Sequence, residues 1–254
     1  MRPDARLGTE LGGYLIEAIL GRGGMGGQLA GEVASAITIE TIAAGLKDQV
    51  PEGDGLAGLL ERANARIVER AAADRTMRGM ATTCTLMRVD PQRAVVAHVG
   101  DSRAYLHRQG SLRQLTEDHS IVGSMVRERI LTPEAAAKHP RRHVVLRALG
   151  QRDTVEVDVV EVDLLPGDRL LLCTDGLTSM IGSESISGVL GAAPTPDEAA
   201  EQLIVLANDA GGEDNVTAVV VDVGPRPRRG GLAGRLRDWF GEGSTRSGMG
   251  TDAS

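Results

Sequence analysis

The hydrophobic positions of this chain form short blocks that follow two different periods. Residues 29–46 and 56–73 carry small and aliphatic side chains at helical spacing, which predicts two helices. Short apolar runs bounded by turn residues predict strands at 13–20, 81–89, 94–99, 104–108, 112–115, 155–162, 169–173 and 216–223. Two more helices are predicted at 183–190 and 195–210, and residues 119–150 are interpreted as helical turns and loop.

The order of these elements predicts the fold class. A doubly wound parallel sheet needs a helix after nearly every strand, whereas four predicted strands follow one another between residues 81 and 115. The order therefore predicts an α+β fold in which helices pack outside antiparallel sheet.

Composition restricts the core and the compartment. Of 254 residues only four are aromatic, and two of these, Trp239 and Phe240, lie close to the C-terminus. The core must therefore consist of aliphatic side chains, with Cys84 and Cys173 as buried, reduced thiols in apolar runs. No apolar span reaches 18 residues and the N-terminus lacks the apolar centre of a signal peptide, so we expect a cytoplasmic protein.

Charge argues against nucleic acid as a partner. The net charge is −7, the opposite sign to that of most proteins that bind a phosphate backbone. Residues 225–254 differ, since six arginines against three acids give +3. We interpret this Arg- and Gly-rich segment as a flexible, solvated tail and favour that reading over contact with an acidic membrane surface. We expect a monomer.

Three aspartates are the candidate functional residues. Asp175 and Asp214 each stand where an apolar run gives way to a turn, and Asp101 follows the predicted strand 94–99 in the same way. Hard divalent cations prefer such carboxylate oxygens on rigid supports. The pattern therefore indicates a hydrolase with a metal site built at strand ends.

Seven sequence words extend this picture to a family. They are GMGGQLAGEVAS (24–35), GMATTCTL (79–86), HVGDSRAYL (98–106), LTEDHS (115–120), ILTPEAAAKHPRRHVVLRALG (130–150), LLLCTDGL (170–177) and GGEDNVTAVVV (211–221). In this order they resemble the metal-dependent serine/threonine protein phosphatases of the PPM (type 2C) family in their bacterial form. The resemblance implies a four-layer α-β-β-α sandwich of two antiparallel sheets flanked by helices, with the N-terminal strands here partly missing or replaced.

The resemblance also implies a site and a reaction. Two Mn²⁺ or Mg²⁺ ions would bridge a water that attacks the phosphorus of phosphoserine or phosphothreonine in line. Asp175 and Asp214 would bind these ions, Gly24 would offer its backbone carbonyl, and Asp101 would bind a weaker third ion. Residues 121–146 match a mobile flap beside the cleft. We interpret His119 and His139 as surface residues, and Asp118 as either a cleft residue or a cap of the following segment.

The chain lacks two acidic residues that are present in the family pattern. The family has an aspartate that bridges both metals at the position of Gly23, and a histidine at the position of Gln28. An upstream family motif, Arg-x-x-Asn-Glu-Asp, has its nearest counterpart at residues 6–11, where Leu11 replaces the acid. We interpret Arg6 and Glu10 as solvated charges without a role in catalysis.

The N-terminal segment resembles a different family. The stretch LGTELGGYLIEAILGRGGMG (7–26) resembles the first strand and Gly-rich loop of a bacterial serine/threonine protein kinase, but no later kinase motif follows. We therefore expect three parts: a kinase-like graft (1–26), a phosphatase domain (27–224) and the tail (225–254).

Two functions remain open from the sequence. One is a protein phosphatase of reduced activity, because the bridging aspartate is replaced by Gly23. The alternative is an inactive pseudo-phosphatase that binds a phosphoprotein or another partner. In either case phosphorylated proteins, including protein kinases and their substrates, are the expected partners.

Overall fold

The computed structural model describes residues 9–11, 14–21, 28–48 and 55–224. These contain nine strands: β1 (Thr9–Leu11), β2 (Tyr14–Gly21), β3 (Thr83–Val89), β4 (Arg93–Val99), β5 (Arg103–Arg108), β6 (Ser111–Gln114), β7 (Asp158–Asp163), β8 (Arg169–Cys173) and β9 (Ala218–Asp222). They form a five-stranded sheet, β1-β2-β3-β4-β7, and a four-stranded sheet, β6-β5-β8-β9. All strand pairs in both sheets are antiparallel.

The helices of the same residues are α1 (Gln28–Asp48), α2 (Gly55–Ala73), α3 (Ile121–Arg127), α4 (Pro133–Ala137), α5 (Asp175–Thr178), α6 (Ser183–Ala192) and α7 (Pro196–Asp209). The starts of α4 and α7 follow local chemistry, because a threonine side chain accepts a backbone N–H and proline takes a first-turn position. The motif Thr-Pro therefore predicted both starts.

Three apolar clusters show how the layers pack. The first joins α1 and α2 to the five-stranded sheet, through residues such as Leu59 and Leu86. The second fills the space between the sheets, where Val96 and Leu172 belong to the same cluster. The third joins the four-stranded sheet to α6 and α7. The result is the order helix, sheet, sheet, helix, so the α+β sandwich of two antiparallel sheets is confirmed.

Alternation along a single strand produces this layering. In β8, Leu170 and Leu172 belong to the cluster between the sheets, whereas Leu171 and Cys173 belong to the cluster beneath α6 and α7. Successive side chains of a strand point to opposite faces, so an uninterrupted apolar run is what a strand buried on both faces requires.

The N-terminal strand predicted at 13–20 is present as β2 and is integral to the first sheet. It pairs with β3 from Leu15 opposite Val89 to Gly21 opposite Thr83, and with β1 on its other side. The short strand β1 and the four-residue helix α5 were not predicted. Both are too short to show a hydrophobic period of their own.

Several predictions fall outside the described residues. Gly23 and Gly24 lie in the segment 22–27, which also contains the predicted domain boundary at residue 26, and the tail (225–254) lies outside as well. The three-part division stays a prediction. Among the described helices, none is long and apolar enough to cross a membrane.

Candidate metal centre

Asp175 lies at the end of a buried strand and in the first turn of α5. The residue before it, Thr174, ties this end to the segment that precedes β9: Thr174 N–H donates to Thr217 O (3.1 Å), and Thr217 N–H donates to Thr174 Oγ1 (3.0 Å). The Thr174 hydroxyl in turn donates to Asn215 O (3.3 Å). These bonds hold the loop that carries Asp214 against the strand end that carries Asp175.

The close approach of these two segments explains Gly176. A Cβ at this position would lie 2.4 Å from Asn215 O and 3.0 Å from Asn215 C. Both neighbours are backbone atoms, so a larger residue would push the two acidic segments apart. In the motif Thr-Asp-Gly, the aspartate therefore supplies a carboxylate and the glycine allows the two acidic segments to pack closely.

Asp175 and Asp214 share one electrostatic environment. The pKa of Asp175 is raised, first because the side chain is largely buried and second because the negative charge of Asp214 opposes its ionisation. His143 acts in the opposite direction, with its Nδ1 4.0 Å from Asp175 Oδ2. Two carboxylates that oppose each other's charge are suited to binding a cation between them.

Asp101 belongs to the same environment. Burial raises the pKa of Asp101 to about 7, and the charges of Asp175 and Asp118 contribute further to this rise. The turn that carries it needs Gly100, since φ is +126° and a Cβ would lie 2.3 Å from Thr83 Cβ. The turns after β4 and β8 thus bring Asp101 and Asp175 within electrostatic reach of each other.

Asp118 does not cap the helix that follows; the N-cap of α3 is Ser120, whose side chain accepts Gly123 N–H. Instead the Asp118 carboxylate accepts two bonds from the Arg103 guanidinium, at 2.8 and 2.7 Å. Arg103 also donates to the hydroxyl of Tyr105 (3.1 Å). This bidentate pair fixes the Arg103 guanidinium beside Asp101. The charge of Arg103 lowers the pKa of Asp101, but less than the charge of Asp118 raises it.

His119 is buried, at 4% exposure, so its interpretation as a surface residue is wrong. Its Nδ1 accepts Gly100 N–H (3.0 Å), and its Nε2 lies 3.0 Å from Asp158 Oδ2. Burial is the main reason that the pKa of His119 is lowered. The His98 ring lies beside it, with centroids 4.8 Å apart, and burial lowers the pKa of His98 to about 4.

The interaction between His119 and Asp158 is a hydrogen bond rather than an ion pair. Burial raises the pKa of Asp158, but hydrogen bonds from His119 and Arg147 outweigh this and leave it lowered. His119 Nδ1 accepts the Gly100 N–H and so carries no proton, and the lowered pKa of His119 favours the same neutral ring. A neutral imidazole therefore donates to a carboxylate that Arg147 also binds.

Two residues near the C-terminal end of the predicted flap, 121–146, contact acidic residues of the candidate centre. The Arg142 guanidinium lies 3.3 Å from the Glu213 carboxylate, next to Asp214, while His143 faces Asp175. Both flap side chains are partly exposed. They place cationic or hydrogen-bonding groups beside the carboxylates of Glu213 and Asp175.

The structure therefore describes only some of the predicted metal ligands. Asp101, Asp175 and Asp214 are described, whereas Gly24 and the position Gly23 are not. Among the described residues, no three His, Cys, Asp or Glu side chains are arranged to enclose a metal ion. The assignment of the four ligands stays a prediction.

The residues that support the site were missed individually, although they lie in the family words. His98 and Thr85 lie near or within predicted strands and Arg147 within the predicted helical turns and loop, and none of them was proposed as a site residue. The Thr85 hydroxyl lies 2.9 Å from His98 Nδ1, and His98 Nε2 donates to the carbonyls of Gly100 and Glu117 (both 3.0 Å). The available signal was the polar side chain inside an otherwise apolar run.

A sandwich of two antiparallel sheets between helical layers, with acidic turns at its strand ends, is the architecture of a metal-dependent phosphatase. The family model for protein phosphatase 2C matches residues 14–204, and the chain belongs to this family. It is therefore, by family, a metal-dependent protein-serine/threonine phosphatase.

Particular relatives support this assignment. The chain is 38% identical over 205 residues to the serine/threonine phosphatase stp of Listeria monocytogenes, covering 78% of this chain and 81% of that protein. The crystal structure of the Mycobacterium tuberculosis serine/threonine phosphatase PstP/Ppp matches with a TM-score of 0.74 at 39% identity, over 83% of this chain and 88% of that one. A PstP catalytic domain in complex with two manganese ions matches with a TM-score of 0.70 at 36% identity, over 82% and 97%.

Proposed function

We propose that this chain removes phosphate from phosphoserine and phosphothreonine in proteins, at a lower rate than relatives with a complete metal site. The observation that carries the proposal is the placement of three acidic turns together. Hydrogen bonds of Thr174 to Thr217 and Asn215 join the segments of Asp175 and Asp214, and the charge of Asp175, after burial, raises the pKa of Asp101. A site with this much unbalanced negative charge is suited to a cation and, through it, to a phosphoryl group.

The donor set fits a hard divalent cation, because carboxylate and carbonyl oxygens are the ligands that Mn²⁺ and Mg²⁺ accept. Asp175, Asp214 and the carbonyl of Gly24 would hold the main ions, and Asp101 a weaker third. The PstP structure with two manganese ions favours two main sites. When bound, such ions activate water for attack and neutralise charge on the transferring phosphoryl group.

The protein's own residues would orient these groups. Thr174 fixes the spacing between the segments of Asp175 and Asp214 through its bonds to Thr217 and Asn215. The flap residues Arg142 and His143 would meet the phosphoryl oxygens as donors once a cation neutralises the acidic groups that they now face.

The sequence change at Gly23 is the reason to propose reduced activity. In the family this position supplies a carboxylate that bridges two cations, which offsets the repulsion between them. Loss of supporting contacts to a metal site often costs about 10–100-fold in affinity or activity. Loss of a direct ligand should cost at least as much.

The proposal is tested by hydrolysis of a phosphothreonine peptide with increasing Mn²⁺. We expect a low rate in the wild type, a higher rate in Gly23→Asp, and none in Asp175→Asn, whose amide keeps the shape but loses the charge. Gly27→Asp is the matched control, since it adds a carboxylate to the same glycine run at another position. Equal rates for wild type and Asp175→Asn would contradict the proposed site.

A second candidate is a pseudo-phosphatase that binds phosphoproteins. It is favoured by one feature: the Arg103–Asp118 pair beside Asp101 is formed, while the bridging acid is absent from the sequence. Isothermal titration with the phosphothreonine peptide separates the two. Binding without turnover in the presence of saturating Mn²⁺ supports this candidate.

The proposal extends to the partners of the chain and to the origin of its N-terminal segment. The relatives' names as serine/threonine phosphatases favour phosphorylated proteins as partners, with protein kinases among them. We also propose that residues 1–26 derive from the start of a kinase and joined a phosphatase that had lost its own first strands. The kinase-like words in residues 7–26 support this history, and β2 would be the inherited strand.

A further inference from the structure

The backbone N–H and C=O of Gly100 both form hydrogen bonds with His119. The His119 N–H donates to Gly100 O (2.7 Å), and Gly100 N–H donates to His119 Nδ1 (3.0 Å). The same carbonyl accepts His98 Nε2 (3.0 Å). Gly100 immediately precedes Asp101 and has a φ of +126°, so these bonds hold a turn that most residues cannot form.

The opposite side of the His119 ring is fixed as well. Because Nδ1 accepts the Gly100 N–H, Nε2 must carry the ring proton, and it donates to Asp158 Oδ2 (3.0 Å). Arg147 Nη1 lies 3.1 Å from Nε2 and pairs with the other oxygen of Asp158. A second ring proton would point at the Gly100 N–H, so this arrangement accepts one tautomer only.

The backbone of His119 connects this turn to the base of the flap. Leu146 N–H donates to His119 O (2.7 Å), and Ile121 N–H donates to Val144 O (3.0 Å). The two ends of the flap therefore join at His119. His119 and Arg147 also line a cavity of about 300 Å³, which none of the three aspartates lines.

We propose that His119 is a positioning residue for the reaction: through Gly100 it sets the direction of the Asp101 carboxylate toward a bound cation. It would not touch substrate or metal itself. The inference rests on the proposed role of Asp101 as a metal ligand and adds the residue that orients it.

Two substitutions test the hydrogen bonds of the two ring nitrogens of His119 separately. In His119→Asn the amide oxygen stands two bonds from Cβ, as Nδ1 does, so it can still accept Gly100 N–H. In His119→Gln the amide nitrogen stands three bonds from Cβ, as Nε2 does, so it can still donate to Asp158 but leaves Gly100 N–H without an acceptor. His119→Ala removes both, and His139→Asn is the control for the same change in a histidine outside this network.

The first measurement is Mn²⁺ binding by calorimetric titration, with Asp101→Asn defining the binding that Asp101 contributes. We expect the dissociation constant of that component to rise about 10–100-fold in His119→Gln and His119→Ala, as for other residues that orient a ligand. His119→Asn and His139→Asn should stay within about threefold of wild type, less than the smallest effect expected from a lost supporting contact. Equal losses in His119→Asn and His119→Gln would overturn the proposal.

The second measurement needs no metal. Amide hydrogen exchange of Gly100, compared with Leu172 in the same EDTA-treated protein, should be slow in wild type and His119→Asn and faster in His119→Gln and His119→Ala. Equal exchange in wild type and His119→Gln would overturn the positioning of the turn. If wild type binds no Mn²⁺ at all, the proposed function fails, and exchange alone then decides whether His119 holds Gly100.

Discussion

Asp101 shows most clearly what a single residue contributes at this site. Its carboxyl lies near Asp175 and Asp118, and Arg103 offsets only part of their charge. Burial and these neighbours raise its pKa to about 7 from an ordinary 3.8. Without a bound cation, ionisation of the Asp101 carboxyl lowers the free energy of unfolding. Carboxyls with such a perturbed pKa are common at functional sites.

This pKa gives the metal-free protein a defined pH dependence. Between 3.8 and about 7 the folded protein keeps a proton on Asp101 that the unfolded chain releases, so the free energy of unfolding falls as the pH rises through this window. Outside the window Asp101 adds no pH dependence.

We therefore expect the Tm of the EDTA-treated wild type to fall across this window by a few °C more than that of Asp101→Asn. Differential scanning calorimetry at a series of pH values measures the difference. Parallel curves for the two proteins would show that Asp101 ionises as an ordinary carboxyl. Saturating Mn²⁺ should reduce the fall in wild type, because a cation stabilises the ionised form.

Gly100 provides a second test at this scale. Alanine there would meet Thr83 Cβ at 2.3 Å in addition to the strain of its positive φ, so we expect Gly100→Ala to lower the free energy of unfolding by about 2 kcal/mol or more. Gly110→Ala is the control, because φ is +79° but nothing lies within 4 Å of its Cβ. Its loss should be about 1 kcal/mol. Urea unfolding measures both, and equal losses would mean that Thr83 moves aside freely.

At the scale of elements, β2 has the largest consequence for the sheet. It lies between β1 and β3 and pairs with seven residues of β3, from Val89 to Thr83. Without it, β3 would become an edge strand with a row of unpaired backbone groups, a known template for aggregation.

Removal of residues 1–21 should therefore cause association or a loss of cooperative unfolding. Removal of residues 1–8 is the control, since it keeps both β1 and β2. Size-exclusion chromatography with light scattering and thermal unfolding would compare the two. A shortened chain without β2 that stays monomeric and unfolds at the Tm of the control would show that the strand is dispensable.

The elements also show what the sequence could and could not predict. Strands β3, β4, β5 and β8 were predicted because each is an apolar run between turn residues, and Thr-Pro marked α4 and α7. Helix α5 was missed because four residues show no period. The burial of His119 was missed because its partners, Gly100 and Asp158, are 19 and 39 positions away in sequence. Local patterns carry no information on such contacts.

At the scale of the whole molecule, stability and chemistry occupy different places. Aliphatic clusters fill the three spaces between the layers, whereas the acidic residues of the candidate centre lie outside the strands: Asp101 and Asp175 follow β4 and β8, and Asp214 precedes β9. Alternation within strands explains the layers. The approach of Asp175 to Asp214 was predicted from the family words. The replacement of the family's bridging aspartate by Gly23 is a feature of the sequence, and the Gly23→Asp variant tests its effect.

The burial of both cysteines has a practical consequence. Cys84 and Cys173 are the two thiols of the chain, neither is exposed, and burial raises the pKa of each to about 12. An alkylating reagent at neutral pH would find almost no thiolate on the native protein. A cysteine introduced at Ile130, which is 62% exposed, would then take up a fluorophore or spin label alone, without prior removal of native thiols.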